Sequence, residues 1–451
     1  MRIAALVIGA AMGMSALAVP GGVGAQAGEA GHADLEPAVA ALIVAIEPKV
    51  VAWRRDFHQH PELSNREFRT AEKVAEHLRS LGLEVKTGVA HTGVVGVLVG
   101  GRPGPVVALR ADMDGLPVTE RVDLPFASKA RAEYNGEEVG VMHACGHDTH
   151  VAILMGVAEV LAARRAELQG TVKFIFQPAD EGAPAGEEGG AELMVEEGVL
   201  GAPDVEAIFA LHIDALREVG ELAYRSGGMW ASADDLHIRV VGRQSHGAYP
   251  WLGVDPIVTS AQIVNALQTV VSRRVPVIES AAVVTIGSIH GGNRSNIIPE
   301  EVVMLGTIRA LDPEVRRIVH ERVRDIATHV GASMGATVEV EIGANSAYPV
   351  TYNDAELTAR MGPVLETVGA TRVEISVPET GAEDFAFFAE RVPGFYFVLG
   401  GRPTATPAAE AADHHTPDFM IDEGALVLGV RAMTALTLNY LGTGADSSGD
   451  R

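Results

Sequence analysis

From Leu35 to Leu81 apolar residues recur at helical spacing in two runs, Leu42, Ile43, Ile46, Val50, Trp53 and Phe57, then Phe68, Ala71, Val74, Ala75 and Leu78. The segment between them, His58 to Ser64, is polar and is broken by Pro61, so it reads as a turn. Val94 to Val99 and Val106 to Leu109 read as short strands joined by a Gly/Pro turn. Val151 to Leu168 reads as a helix, and Val172 to Phe176 and Ile208 to Ile213 as further strands. Alternating strands and helices with polar residues gathered at strand ends predict an α/β sheet with its site along one edge. The texture changes at about Glu221. Strands over Leu236 to Val241, Ala282 to His290, Glu301 to Arg309 and Thr337 to Ile342 alternate with helices over Pro256 to Val271 and Glu314 to Val330, in the order βαββαβ. That order suits a two-layer, ferredoxin-like α+β unit. The α/β texture returns with a helix over Asp354 to Val368, a strand over Gly394 to Leu399 and a helix over Asp422 to Leu441. The predicted organisation is a mixed-sheet α/β domain in two pieces, 36–222 and 345–442, with a smaller domain, 223–344, inserted between them.

The first 27 residues read differently from the rest. Arg2, an apolar stretch from Ile3 to Val19, and small residues around Val23-Gly24-Ala25 and Ala25-Gln26-Ala27 have the form of a secretory leader, which predicts export to the periplasm or beyond. The apolar stretch is too short and too Gly-rich to favour membrane insertion. Residues 443–451 read as a flexible tail. At 451 residues with 47% hydrophobic and 21% charged positions, the chain is long enough for two well-filled cores. A net charge of −24 leaves no basic footprint for nucleic acid or an anionic membrane.

Chemistry concentrates in Met142-His143-Ala144-Cys145-Gly146-His147-Asp148-Thr149-His150. Soft sulfur and nitrogen donors around a permissive Gly suit a borderline-soft divalent metal. Cys145 and His147, two apart, cannot face one partner from a regular helix, so the segment must bend at Gly146, with the helix beginning near Asp148 or Thr149. Cys145 is the only cysteine, which removes disulfide bonding within the chain and leaves three readings: metal ligand, buried filler, or a nucleophile activated by His147 or His143. Asp114 lies just past a strand end, where it could orient an imidazole or serve only a turn before Pro117. Asp180 and Glu181 follow another strand, placed so that one carboxylate ligates and its neighbour moves protons. His212 sits near the end of a third. His58 and His60 could bind metal, with capping or packing as the alternative. His246 lies on a Gly-flanked loop of the insert, Asn296 offers an amide, and Arg309 could grip a carboxylate or close a structural ion pair. Gly381-Ala382-Glu383-Asp384-Phe385 and His414-His415-Thr416-Pro417-Asp418-Phe419 add acid and imidazole near the C-terminus.

Taken in order, His-Pro-Glu-Leu at 60–63, Arg-Ala-Asp-Met-Asp-Gly-Leu-Pro at 110–117, Met-His-Ala-Cys-Gly-His-Asp at 142–148, Gln-Pro-Ala-Asp-Glu-Gly at 177–182, Ser-His-Gly-Ala-Tyr-Pro at 245–250, Asn-Ile-Ile-Pro at 296–299, Gly-Ala-Glu-Asp-Phe at 381–385 and His-Thr-Pro-Asp-Phe at 415–419 resemble the dinuclear metallopeptidases that include aminoacylases. The resemblance covers roughly residues 36 to 442 and is to the amidohydrolase branch with hippurate hydrolase and the indole-acetyl-amino-acid hydrolases. It implies metal-dependent cleavage of the amide bond of N-acyl or N-aroyl amino acids or small peptide-like conjugates. Cys145, His147, Glu181, His212 and His415 match the ligands of two divalent ions; ligand softness favours Zn, with Mn, Ni and Co also compatible. Asp114 matches the carboxylate that orients a ligand. His246 resembles the histidine that reaches a neighbouring subunit's site to stabilise the oxyanion, which makes the insert a dimerisation and lid domain and the protein a homodimer. Asn296 and Arg309 resemble residues holding the substrate's polar end. The family's general base is usually Glu where this chain has Asp180, a side chain shorter by about 1.5 Å, and misplacement of that order costs about 10²-fold in rate unless the loop advances. This departure motivates one alternative, a homologue that binds metal or ligand without turnover. A hydrolase using Cys145 as nucleophile is the other.

Overall fold

The computed structural model describes residues 35–443 with the exception of residue 279. The leader read over 1–27 and the tail beyond 443 lie outside the described residues.

An eight-stranded mixed sheet forms the larger part. Its strands run in the order Glu84–Val89, Gly93–Val99, Gln169–Gln177, Arg102–Asp112, Ala207–Glu218, Gly394–Arg402, Glu221–Tyr224 and Arg372–Ile375. The four central strands, 169–177, 102–112, 207–218 and 394–402, are mutually parallel. Their side chains alternate between two cores. Val107, Leu109, Phe174, Phe176, Phe209 and Leu211 belong to one, Ala108, Ile175, Ile208 and Ala210 to the other. Coverage of both faces explains why these strands read as unbroken apolar runs rather than as alternation. The first core is covered by helices Pro37–Gln59, His147–Ala163 and Gly424–Thr443; the second is covered by the short helices Gly190–Glu196 and Ala386–Ala389. Close helix packing needs Gly156, where a Cβ would lie 2.9 Å from Val50 Cγ2 and 3.0 Å from Val430 Cγ2. Because the central strands are parallel, their carboxyl ends share one edge, the place where such sheets hold ligands. Register puts Asp112 beside Gln177 and Arg110 beside both Ile175 and Ala210.

A second, four-stranded antiparallel sheet has the order Ala282–His290, Glu301–Ala310, Ala233–Val241, Thr337–Tyr348. Helices Pro256–Arg274 and Pro313–Ser333 pack on one face through Ile263, Leu267, Val319 and Val323. Both helices start at an Asp-Pro pair: Asp255 accepts from the N–H groups of Ile257 and Val258, and Asp312 from those of Glu314 and Val315. Elements of this layer follow the predicted βαββαβ order.

Three differences from the sequence reading have local causes. Strand 102–112 starts four residues before Val106, running through Pro103-Gly104-Pro105 with a register irregularity. Helix 147–163 begins at His147 and ends at Ala163, short of Leu168, the following residues forming turns. The polar edge strands 84–89 and 372–375 and the hairpin Arg131–Tyr134/Glu137–Gly140 carry too little apolar alternation to announce themselves, and 221–224, paired between 394–402 and 372–375, is only four residues long.

Candidate active site

Gly146 explains how two residues flanking it converge. Its φ is 92°, in the left-handed region, and a Cβ there would lie 2.3 Å from Ile213 Cγ2, so only Gly fits both the conformation and the space. The chain turns at this point and enters the helix with His147 as its first residue. Asp114, buried just past strand 102–112, then ties three segments together. Its Oδ1 accepts from His147 Nδ1 at 3.1 Å and from the Asp180 N–H at 3.2 Å; its Oδ2 accepts from Ser64 Oγ at 2.8 Å and from the Glu181 N–H at 3.1 Å. The loop carrying Asp180 is fixed from its other side by Glu67, which accepts the N–H of Ala179, a residue at φ 53°.

Five of the residues singled out in the sequence meet here. Cys145 Sγ lies 3.4 Å from His212 Nε2 and 3.3 Å from His415 Nε2, and His415 Nε2 lies 3.0 Å from Glu181 Oε1. His147 Nε2 lies 3.8 Å from Glu181 Oε1 and 3.8 Å from Asp180 Oδ2. Donor atoms of Cys145, His147 and His212, of Cys145, Glu181 and His415, and of His147, Asp180 and Glu181 each fall within 4.8 Å of one another. Ring orientation is set from behind. His147 gives its Nδ1 to Asp114 and His212 gives its Nδ1 to the Ile213 carbonyl at 2.6 Å, leaving both Nε2 atoms directed at the centre.

These donors fit a cation. His147 Nε2 is buried with no hydrogen-bond partner, a costly state for a polar atom that an ion would relieve. Burial pushes the Cys145 thiol well above its ordinary range, with the Glu181 carboxylate adding to the effect, so an adjacent positive charge is what would hold the thiolate. Burial likewise holds His212 well below its usual value, reinforced by His150 and His414, which keeps its nitrogen lone pair available. The neighbouring imidazoles are committed elsewhere, except that His414 Nδ1 lies 3.7 Å from Cys145 Sγ. His150 donates to Asp112 at 2.6 Å and accepts from the Ile213 N–H at 2.9 Å, while His414 accepts from the Ala215 N–H at 3.1 Å and is lowered to about 4 by burial. His58 is gripped by Asp148 at 2.9 Å and Glu120 at 3.2 Å, and His60 bonds the Asp56 carbonyl, so neither faces the cluster.

Asp180 sits at the rim of a buried charge cluster. Arg110, fully enclosed, contacts Asp112 at 2.7 Å, Asp180 at 2.6 Å, Asp384 at 2.9 Å and Glu383 at 3.0 Å, with Gln177 on its Nε at 2.7 Å. Burial pushes the Asp180 carboxyl up, but the Arg110 guanidinium outweighs it and holds the group ionised, well below the carboxylate range. Glu383 goes the other way, up to about 8, through burial only partly offset by Arg110. Sequence reasoning noted Glu383 and Asp384 only as acid near the C-terminus and gave Arg110, Asp112 and His414 no role. Apart from the Arg110–Asp112 pair, their partners are distant in sequence, so no spacing rule could have found them.

His246, Asn296 and Arg309 stand apart. Among the described residues, no hydrogen bond, ion pair or ring contact joins them to the Cys145 cluster. His246 is exposed on the two-residue strand Ser245–His246, packed against Tyr249 with ring centroids 5.1 Å apart. Asn296 is exposed, its carbonyl accepting from the Gly247 N–H. Arg309 alternates with the buried Ile308 and Ala310, so it lies on the sheet face opposite the helices.

A parallel-centred sheet whose carboxyl edge gathers thiol, imidazole and carboxylate donors around a buried, unpartnered imidazole nitrogen is a candidate metal centre, and the family to which the chain belongs makes it that of a metal-dependent hydrolase of amide bonds. The chain belongs to peptidase family M20/M25/M40, whose model matches residues 108–439. It is 40% identical over 396 residues to thermostable carboxypeptidase 2 of Saccharolobus solfataricus, covering 88% of this chain and 96% of that one. It is 36% identical over 407 residues to IAA-amino acid hydrolase ILR1-like 2 of Arabidopsis thaliana, covering 89% and 88% of the two chains. Among solved structures, the Bacillus subtilis YXEP protein, described as a dinuclear metal-binding peptidase of the M20 family, superposes with a TM-score of 0.74 at 35% identity, covering 89% of this chain and 99% of that one.

Proposed function

We propose that this protein hydrolyses the amide bond of N-acyl or N-aroyl amino acids, using two divalent cations held by Cys145, His147, Glu181, His212 and His415. The observation that carries this reading is the approach of Cys145 Sγ to His212 and His415 at 3.4 and 3.3 Å beside the unpartnered His147 Nε2, with Glu181 Oε1 3.0 Å from His415 Nε2. When bound, such ions supply Lewis acidity, acidifying water and polarising the scissile carbonyl. Ligand softness favours Zn, with Mn, Ni and Co as further occupants.

Asp180 moves the proton. Arg110 anchors Oδ1 at 2.6 Å and leaves Oδ2 3.8 Å from His147 Nε2, at the edge of the donor cluster. There it takes the proton of the attacking water and returns it to the leaving nitrogen. Asp114 acts behind it, aligning His147 and the backbone of Asp180 and Glu181 through three hydrogen bonds, with a fourth from Ser64. Arg309 and Asn296 grip the free carboxylate of the amino acid, and His246, supplied by a second subunit, stabilises the oxyanion. Exposed Trp251 and Leu252 beside His246, 73% and 62% accessible, suit burial in that homodimer. The names of relatives support the substrate class: N-acetylcysteine deacetylase of Bacillus subtilis is 37% identical to this chain over 407 residues. The leader over 1–27 supports an exported protein, which N-terminal sequencing of the mature chain tests.

A panel of N-acyl amino acids, with free or amidated C-termini, tests the function directly. Free acids are cleaved and amidated ones poorly. Mixing His246→Ala with Asp180→Asn protein restores part of the activity that each lacks alone. No hydrolysis of any member would sink the reading, and failure of the mixture would remove the role of His246 across subunits.

A further inference from the structure

Two cavities meet at Glu181. One, about 670 Å³, is bordered by Glu187, Glu188, Glu192 and Glu196 and by Gly343, Ala347 and Tyr348 at the end of strand Thr337–Tyr348 of the smaller sheet. The other, about 130 Å³, is part apolar, with Leu63, Leu116, Pro117 and Tyr134, and part polar, with Ser64, Asn135 and Glu181. We propose that the smaller cavity receives the acyl group and selects neutral aliphatic chains up to about isovaleryl in size, rejecting acyl groups that end in a carboxylate or carry an indole. The inference rests on the amidohydrolase reading and deepens it.

Three observations carry it. The first is position. Leu116 is bonded in both directions to Met142, its N–H donating at 2.8 Å and its carbonyl accepting at 3.0 Å, and Ser64 on the same wall donates to Asp114. The pocket wall is therefore part of the frame that holds Cys145 and His147. It is built entirely from segments outside residues 223–344, whereas Arg309 and Asn296 lie within them, so the end of the substrate opposite the carboxylate falls here.

The second observation is charge. Arg66, the cation on this wall, is held by Glu187 at 2.5 and 3.1 Å, while Glu133 contributes acid. A second carboxylate on the acyl chain meets repulsion and no open cation. The third is size. A cavity of about 150 Å³ accommodates a benzene ring, so this one fits a branched four- or five-carbon chain and is too small for a bicyclic ring. Tyr134, 43% exposed on the hairpin 131–140, forms the outer lip.

The test measures kcat/KM for N-acyl alanines carrying acetyl, butyryl, isovaleryl, succinyl and indole-3-acetyl groups. The expected result is a rise of about fourfold per added methylene up to isovaleryl, with succinyl and indole-acetyl at least tenfold below isovaleryl. Leu116→Phe, which fills the pocket, lowers the isovaleryl-to-acetyl ratio at least tenfold. Tyr134→Ala, on an exposed lip where folding is not at stake, raises the indole-acetyl-to-isovaleryl ratio. A flat acyl profile, a preference for succinyl, or ratios unmoved by Tyr134→Ala would overturn the proposal while leaving amide hydrolysis standing. Absence of all turnover would instead defeat the hydrolase reading. In that event calorimetric binding of isovalerate against succinate decides the pocket: tighter isovalerate sustains it, and equal or reversed affinity refutes it.

Discussion

Replacing Asp114 by Asn removes one charge and changes no volume, yet the geometry forbids the amide from serving all four donors. Each carboxylate oxygen accepts two bonds, Oδ1 from His147 Nδ1 and the Asp180 N–H, Oδ2 from Ser64 Oγ and the Glu181 N–H. An amide NH2 placed at Oδ1 faces two nitrogen donors. Placed at Oδ2 it faces one, because the Ser64 hydroxyl can rotate and accept. The cheaper arrangement therefore orphans the Glu181 N–H, and an unpaired buried donor costs about 1–3 kcal/mol. That cost falls on the loop that positions Glu181. Loss of such a supporting partner typically weakens metal binding by about 10- to 100-fold, or about 1.4–2.8 kcal/mol at 1.4 kcal/mol per decade, the same range reached by a separate route. Competition with a chromophoric chelator measures the affinity, and steady-state hydrolysis measures turnover. Asp114→Asn protein that held metal as tightly as the parent, with unchanged kcat, would refute the role assigned to Asp114.

Further outcomes follow from other residues. Asp180→Asn is expected to lose at least about 10²-fold in kcat while keeping its metal, and chelation of the parent to abolish activity that added metal restores; activity that survives chelation and dies on thiol alkylation would point to Cys145 as nucleophile instead. Glu67 is pushed up to about 8 from an ordinary 4.5, by burial and then by the Asp114 carboxylate. The folded state therefore keeps a proton that the unfolded chain releases near 4.5, and stability falls as pH rises from there towards 8. Glu67→Gln mimics the protonated acid and should flatten that fall in urea titrations across the window, whereas an unchanged slope would exclude Glu67 as its source. Gly146→Ala forces a side chain into φ 92° and to 2.3 Å from Ile213 Cγ2. Left-handed strain and overpacking cost about 1–3 kcal/mol each, so a lowered Tm and reduced metal content are expected, and a parent-like Tm would show that the turn is more adaptable than its geometry suggests.

Much of the architecture was written locally. Val107, Phe174 and Phe209 belong to apolar runs that mark buried parallel strands, and the Asp-Pro starts at 255 and 312 mark the two helices of the smaller layer, because capping and φ restriction act within a few residues. Cys145, His147, Glu181 and His415 stood out for a related reason: each lies in a short motif whose residue types suit metal chemistry, whereas His212, near a strand end, entered as a ligand only through the family resemblance. Edge strands such as Glu84–Val89 escaped notice because their pairing is decided by a neighbour rather than by their own composition.

What the chain determined by itself is therefore the inventory: which segments become helices and strands, and which side chains are fit to bind a cation. Only the tertiary structure decided which imidazoles are free to do so. His150 carries the same ring as His147 and His212, but its nitrogens are occupied by Asp112 and by the Ile213 N–H, whereas His414 spends Nε2 on the Ala215 N–H and keeps Nδ1 3.7 Å from Cys145 Sγ. The same holds for Asp180, whose charge state is set by Arg110, 70 residues away in sequence and 2.6 Å away in space. A lone pair is available or spent according to what is packed against it, and that is a property of contacts between strands rather than of any residue type.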